Sequence, residues 1–411
     1  MLLLPTLCSL RHRAAVLAAL GLLIIAPARA QFFGAPMPDM PTPAMPQHGN
    51  HRHPTKPQPV KPLPPPPPPF VEESVNSAPT LGANGLLYVG SWNHQVLALD
   101  QRTGSIRWKF MTGDIINASP AVGPDGTVYV ASHDKNVYAL DGLTGAKKWQ
   151  FKTGGPLDTR PAVSAQGMVY VGTFDSKVIA LDAKTGAKRW ERTTLSSASS
   201  PAIGLNNLVY VSASKLYALD GATGAVRWSA DIGVLPSQAP LVGPEGTVYV
   251  GTPDALILAV NGSTGQTLWQ FSTGHIVDYP LVLGPDGVLY ASASKLFAIH
   301  ASNGKERWEL AENGSSWSAP TVGDNGLLYA GYNDSRLYAL DTSAGRTKWV
   351  FATDDGLLCF PTLGPNGTVF FQCEGDSKIY ALNWASGQPR WIAAQDPLPS
   401  SVKPVIAEAG R

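Results

Sequence analysis

Side chains able to do chemistry are thinly spread along this chain. Asp158 and Asp278 are candidates for a carboxylate pair, which could exchange protons or hold calcium through its oxygens. His94, His133, His275 and His300 offer imidazoles, but without the short ligand spacings of a zinc site. His48, His51 and His53 stand close enough together to hold a transition metal weakly. In a proline-rich context such clusters are more often solvated polar residues, and no metal site is expected. No nucleophile, base and orienting acid recur at spacings that suggest a triad. Of three cysteines, Cys8 lies near the N-terminus, leaving Cys359 and Cys373 as a possible pair.

Whatever positions these groups is a repeat. Trp108, Trp149, Trp190, Trp228, Trp269, Trp308, Trp349 and Trp391 follow one another at 41, 41, 38, 41, 39, 41 and 42 residues, a period that marks stacked supersecondary units. Each unit reads roughly Ser-x-Pro, Gly-Pro-Asp-Gly, Val-Tyr-Val, Val-Tyr-Ala-Leu-Asp-x-x-Thr-Gly, then x-Trp-x-Phe. Four short β-rich runs separated by turn residues predict a four-stranded antiparallel meander, strands A to D. Gly-Pro-Asp-Gly suits a tight A–B turn, and Asp-x-x-Thr-Gly closes the C–D hairpin. Ala98, Ala139, Ala180 and Ala218 are small enough for neighbouring sheets to approach. The tryptophans supply large apolar faces for docking between units. One unit cannot bury both of its faces, so the units must stack. The expected fold is all-β, an eight-bladed β-propeller.

In such a ring the A–B and C–D turns share one face and are expected to be scaffold. The B–C and D–A connections share the other, and their variety marks it as the functional face. Candidate binding residues there are Trp92, His94, Asn117, Asp158, Arg160, Phe174, Gln238, Asp278, Trp317 and Tyr332. Asn117, Asp158, Arg160, Gln238, Asp278 and Trp317 precede the strand A prolines and are expected to ring the central opening. Asp158 and Asp278 then face each other across a wet channel, where lone acids are usually solvated. Trp92, Phe174, Trp317 and Tyr332 are expected to be exposed, as sugar platforms or protein hot spots.

The motif Ala-x-Asp-x-x-Thr-Gly-x-x-x-Trp, complete at 98–108, 139–149, 180–190 and 218–228, resembles the tryptophan-docking motif of the pyrroloquinoline quinone (PQQ)-like propeller repeat family. Later copies drift. Asn261, His300 and Asn383 replace the Asp, and Asn303, Ala344 and Ser386 replace the Thr. The resemblance covers about residues 77–392. Among compact members, the outer-membrane assembly factor BamB is similar in size and loop economy. The family's dehydrogenases imply a calcium site, a catalytic Asp, stacking residues, often vicinal cysteines, and long insertions that wall the cofactor. This chain has no vicinal cysteines and about 40 residues per blade. No catalytic residue and no cofactor are expected, the alternative being an extracellular PQQ-dependent dehydrogenase (quinoprotein).

The flanks suggest an exported protein. Arg11 and Arg13, the apolar run 14–26 and Ala28-Arg29-Ala30 read as a secretory signal peptide over 1–30. Cleavage is expected over retention as an anchor, because the run is shorter than the ~20 residues that span a bilayer. No lipid-acceptor cysteine follows that run, unlike in BamB. Residues 31–70 read as a proline-rich disordered stalk, and 71–411 as the propeller. Whole-chain charge is +1; losing Arg11, Arg13 and Arg29 leaves 28 basic and 30 acidic residues, a net of −2. That is no footprint for nucleic acid. The expectation is a secreted monomer, periplasmic or extracellular, with no membrane span after cleavage, binding a protein or polysaccharide as a scaffold. Two more features belong to the ends of the ring. Ser401-Val402-Lys403-Pro404-Val405-Ile406 resembles a further strand A that supplements the first blade. Folding the eighth A–B hairpin between Pro365 and Asn366 sets Cys359 opposite residue 372 and beside Cys373, within reach of a disulfide.

Overall fold

Within each repeat, one row of side chains runs straight across the sheet. In the second repeat, strands A (Ala121–Val122), B (Thr127–Ala131), C (Asn136–Asp141) and D (Lys147–Lys152) pair antiparallel in sequence order. Ala121 lies opposite Tyr129, Tyr129 opposite Ala139, and Ala139 opposite Trp149. Because Ala139 is small, the rings of Tyr129 and Trp149 meet across it, with centroids 5.8 Å apart. The same Tyr–Ala–Trp row recurs from Tyr88-Ala98-Trp108 to Tyr329-Ala339-Trp349, with Phe370 replacing Tyr in the last blade. The alanines therefore serve ring contact inside a blade as well as approach between blades.

This computed structural model describes residues 78–233, 238–277, 279–310, 317–353, 359–373 and 378–394. They form eight four-stranded antiparallel sheets, an eight-bladed β-propeller within the unit Pro68–Arg411. Apart from one short 3-10 turn, Leu205–Asn207, no helix occurs among them. In blade 2 strand B is buried throughout and strand C up to its last residue, Asp141, whereas strand D alternates exposed and buried. This is the pattern expected when inner strands are sandwiched between sheets and D forms the outer edge.

Stacking rests on one repeated contact. Trp108 donates its Nε1–H to the Gly142 carbonyl of the next blade at 2.9 Å, and the Tyr88 hydroxyl donates to the same oxygen at 3.0 Å. The Trp108 ring lies over Gly145, whose φ is +73° and where a Cβ would sit 2.7 Å from the indole. Only glycine satisfies both conditions. Trp391 closes the circle by donating to the Gln101 carbonyl of blade 1 at 3.0 Å. The Asp that precedes each docking glycine braces the turn: Asp141 Oδ1 accepts from the backbone N–H groups of Leu143 and Thr144. Asn261 and Asn383 keep that acceptor. His300 cannot, but Asn303, in the threonine position, accepts from Lys305 N–H as Thr144 does from Ala146 N–H, so this part of the turn is kept.

The first blade takes its inner strand from Thr80–Leu81, with Thr80 opposite Tyr88. Residues 401–406 lie outside the described residues, as do the signal segment and the stalk with His48, His51 and His53. In blade 8, Cys359 pairs directly with Cys373 rather than being offset by one, and the two sulfurs are bonded. The turn holds three residues, Pro365 to Gly367, because Asn366 and Gly367 both adopt positive φ, so the hairpin folds about Asn366. Strand A there, Cys359–Gly364, has six residues where the other blades have two.

Candidate functional site

The B–C tips are less varied in backbone than in side chain. His94, Lys135, Ser176, Ala255 and Ser335 all sit at φ between 60° and 70° at the equivalent position. The carbonyl of each accepts the N–H of the threonine that immediately follows the adjoining strand D: Thr112, Thr153, Thr194, Thr273 and Thr353. In four of the five the threonine hydroxyl donates to that carbonyl as well. The functional face is thus also scaffold in its main chain, and its individuality lies in what that scaffold presents. These threonines were missed from sequence.

Two expected surface aromatics are core residues. Trp317 is fully buried, with its ring 4.7 Å from Tyr332 and 5.3 Å from Tyr338 between centroids. Tyr332 is buried with it, and the two form a β-bridge. Neither can be a sugar platform or a hot spot, and Trp317 does not ring the opening. The physical reason is that several of the described D–A connections send an apolar residue inward to plug the gap between blades. Ile116, Leu157 and Val277 do this in other connections, and Trp317 is the largest such plug.

Six of the remaining candidates, Trp92, His94, Asn117, Asp158, Arg160 and Phe174, lie on blades 1 to 3. Trp92, His133 and Phe174 occupy the same tip position, two residues before the left-handed one. Each tip reaches the D–A connection that follows its blade. Trp92 donates its Nε1–H to Asn117 Oδ1 at 3.0 Å. His133 Nε2 lies 3.4 Å from Asp158 Oδ1. The Phe174 carbonyl accepts from the Ser197 hydroxyl at 3.1 Å, and the Phe174 ring meets His133 edge-on at 6.0 Å. Asp158 raises the His133 pKa against the opposing effect of burial. The paired-carboxylate idea therefore gives way to an acid–imidazole pair on Asp158, while Asp278 lies outside the described residues, as do Asp354 and Asp355. His94 approaches Asp114 at 3.9 Å. Gln238 is half-buried at the edge of the fifth blade, and His300 is on the opposite face, at the end of strand C.

The loop face carries part of the exposed apolar surface. Phe174 is 46% exposed, Leu195 in the connection after blade 3 is 73%, and Ile276 is 52%. At the central opening stands Arg160, in a cavity of about 380 Å³ formed by the inner strands of blades 2 to 4 and by Ala239. Its side chain reaches solvent, yet surrounding protein lowers its pKa by desolvation. Tyr279 and Phe360, at the equivalent positions of blades 6 and 8, bring their rings to 5.9 Å. Among the described residues no group of three His, Cys, Asp or Glu side chains is placed to hold a metal ion. What the face offers is recognition: aromatic and aliphatic surface, hydrogen-bonding edges and one central guanidinium.

Solved structures share this fold. BamB from Moraxella catarrhalis is 21% identical, with a TM-score of 0.58 over 68% of this chain and 88% of its own. A quinohemoprotein alcohol dehydrogenase from Pseudomonas putida HK5 is 16% identical, with a TM-score of 0.63 over 76% of this chain and 70% of its own. A europium-containing methanol dehydrogenase is 15% identical, with a TM-score of 0.62 over 77% and 83%. No curated protein matches the sequence. A family model described as outer membrane protein assembly factor BamB matches residues 68–213, 198–291 and 253–405. With nearly the whole propeller matched, the chain belongs to the PQQ-like repeat family that bears that description.

Proposed function

We propose that this chain is a non-catalytic scaffold of the cell envelope, periplasmic or extracellular, that binds a protein partner through the loop face of blades 1 to 3. The observation that carries the reading is the arc Trp92, His133 and Phe174 on one repeated backbone, continued by exposed Leu195. Three consecutive blades there carry three different side chains, of which Phe174 is exposed and Trp92 half-buried. Aromatic and aliphatic side chains held on a rigid support lose little entropy on docking, which favours them as anchors. The family description, an outer-membrane assembly factor, supports an envelope role in handling other proteins. No helix among the described residues is long and apolar enough to cross a membrane.

The competing reading is a quinoprotein dehydrogenase, favoured by the two dehydrogenase structures with this fold. A deep cofactor site needs walls. The connections after blades 1 and 2 span only residues 112–120 and 153–161, nine residues each, and both are occupied in docking and plugging. Purified protein given PQQ and calcium is expected to show no alcohol- or sugar-dependent dye reduction; turnover of any primary alcohol would overturn the non-enzyme reading. For the binding surface, photo-crosslinkers placed at Phe174 and Leu195 in the native envelope are expected to trap one defined protein. Crosslinkers at Leu143, exposed on the opposite face, are expected not to trap it. Equal trapping from both faces would sink the assignment.

A further inference from the structure

We propose that the central opening binds a small oxyanion, a carboxylate or a phosphate, between Arg160 and Ser200. The two residues hold the same place in consecutive blades, immediately before the proline that leads into strand A, so both stand at the inner rim of the ring. Together they line the cavity of about 380 Å³, whose other walls are apolar and mostly small, among them Ala121, Ala162, Pro201 and Ala239. Arg160 is the one charged residue on those walls.

Five of the other nine described arginines are neutralised by a carboxylate. Arg107, Arg189 and Arg227 each meet an aspartate at 2.6 Å, Arg307 meets Asp286 at 2.9 Å, and Arg336 meets Asp334 at 3.3 Å. Arg160 meets no carboxylate among the described residues; burial alone perturbs it. A partly desolvated guanidinium without a counter-charge is unfavourable, and its planar fork of donors matches an oxyanion. Ser200 adds a second donor. Its Oγ accepts the Arg160 backbone N–H at 2.9 Å, which leaves its own proton without an acceptor among the described residues.

A larger cavity of about 720 Å³ lies on the opposite face, at the seam of blades 8 and 1, and contains more arginines. There Arg107 is held by Asp100, and Arg390 donates to the carbonyls of Asn366 and Gly367. Two of the three seam arginines are spent on the scaffold, and the seam also holds the Asp100 carboxylate beside Arg102, whereas no carboxylate lines the central cavity. The central cavity lies at the small end of the ~300–1,000 Å³ range of ligand sites, which suits a small acid or inorganic phosphate.

The test uses the full chain, in separate titrations with inorganic phosphate and with acetate and succinate, followed by calorimetry and by the Arg160 guanidinium resonance. Saturable binding is expected in at least one arm, and the preferred arm tells phosphate from carboxylate. Arg160→Gln is expected to weaken it by about tenfold or more, as for loss of a charge-assisted bond. Arg160→Lys should keep part of it, and Ser200→Ala should weaken it less. Because the Arg160 side chain makes no hydrogen bond or ion pair among the described residues, the variants are expected to melt like the parent without anion, which separates loss of binding from loss of fold. No saturable binding in either arm, or binding unchanged in Arg160→Gln, overturns the site. Neither result touches the partner surface on blades 1 to 3.

Discussion

At the C–D turns all eight tryptophans make one bond, indole to the carbonyl of the next blade, from Trp108 to Trp391. On the loop face the backbone is nearly as regular, but neighbouring tips carry an indole, an imidazole and a phenyl ring. A closed ring explains the contrast. Each docking bond is needed by the blades on both sides, so a change at one turn loosens two blades. A tip side chain is held by its own blade and one connection, so it can change without cost to closure. Function is therefore expected where the main chain repeats and the side chains do not.

That division is broken most directly by truncating tryptophans. Trp149→Ala removes a docking ring and is expected to cost roughly 3–5 kcal/mol, the usual range for aromatic truncation in a core. Trp317→Ala should fall in the same range although it sits on the loop face, because it fills the gap beside blade 7. Trp92→Ala should cost about 1 kcal/mol, the worth of one half-exposed hydrogen bond to Asn117. Denaturant melts of the three variants read this out. A Trp317 variant that melted like Trp92→Ala would return Trp317 to the surface.

The disulfide sharpens the comparison within blade 8. It joins the first residue of strand A, on the loop face, to the last residue of strand B, and both cysteines are buried. The bond closes a loop of sequence separation 14, for which the chain-entropy model gives ~3 kcal/mol. The double variant Cys359→Ala, Cys373→Ala is expected to lose up to that amount. Alkylation in denaturant without reductant should label neither residue; mass spectrometry finding both labelled would remove the bond.

Much of this was legible because it is local. Tryptophan spacing, the Asp-x-x-Thr-Gly turn and the docking glycine each declare themselves within one repeat. The tyrosine hydroxyls and the strand D threonines did not, since Tyr88 bonds a carbonyl 54 residues away and Thr153 one 18 residues back. Nothing in their own neighbourhood marks a hydroxyl as paired. Trp317 was misread for a related reason. Its offset from Pro320 matches that of Asn117 from Pro120, but one residue decides whether a side chain points to the opening or into the gap between blades. Arg160 could be placed from its proline; that it lacks a carboxylate could not.

The smallest effect expected is a dependence on pH, centred on the tip that carries His133. In the fold Asp158 raises the His133 pKa, with Asp114 adding to the field and burial opposing both. The folded state therefore holds the His133 proton more tightly than the unfolded chain, where histidine titrates near 6.5. The stability from this pair is fully present below about pH 6.5 and is lost as pH rises through the raised folded value. For a partly exposed pair its size is on the order of 1 kcal/mol or less. Melts of the parent and of Asp158→Asn should then differ most near about pH 5.5 and converge toward about pH 9, with His133→Gln removing the difference. His94 stands beside Asp114 and is the control: His94→Gln should leave the slope in place. A gap between parent and Asp158→Asn that stayed constant with pH would mean that Asp158 holds its connection by shape, and that no imidazolium is formed at this tip.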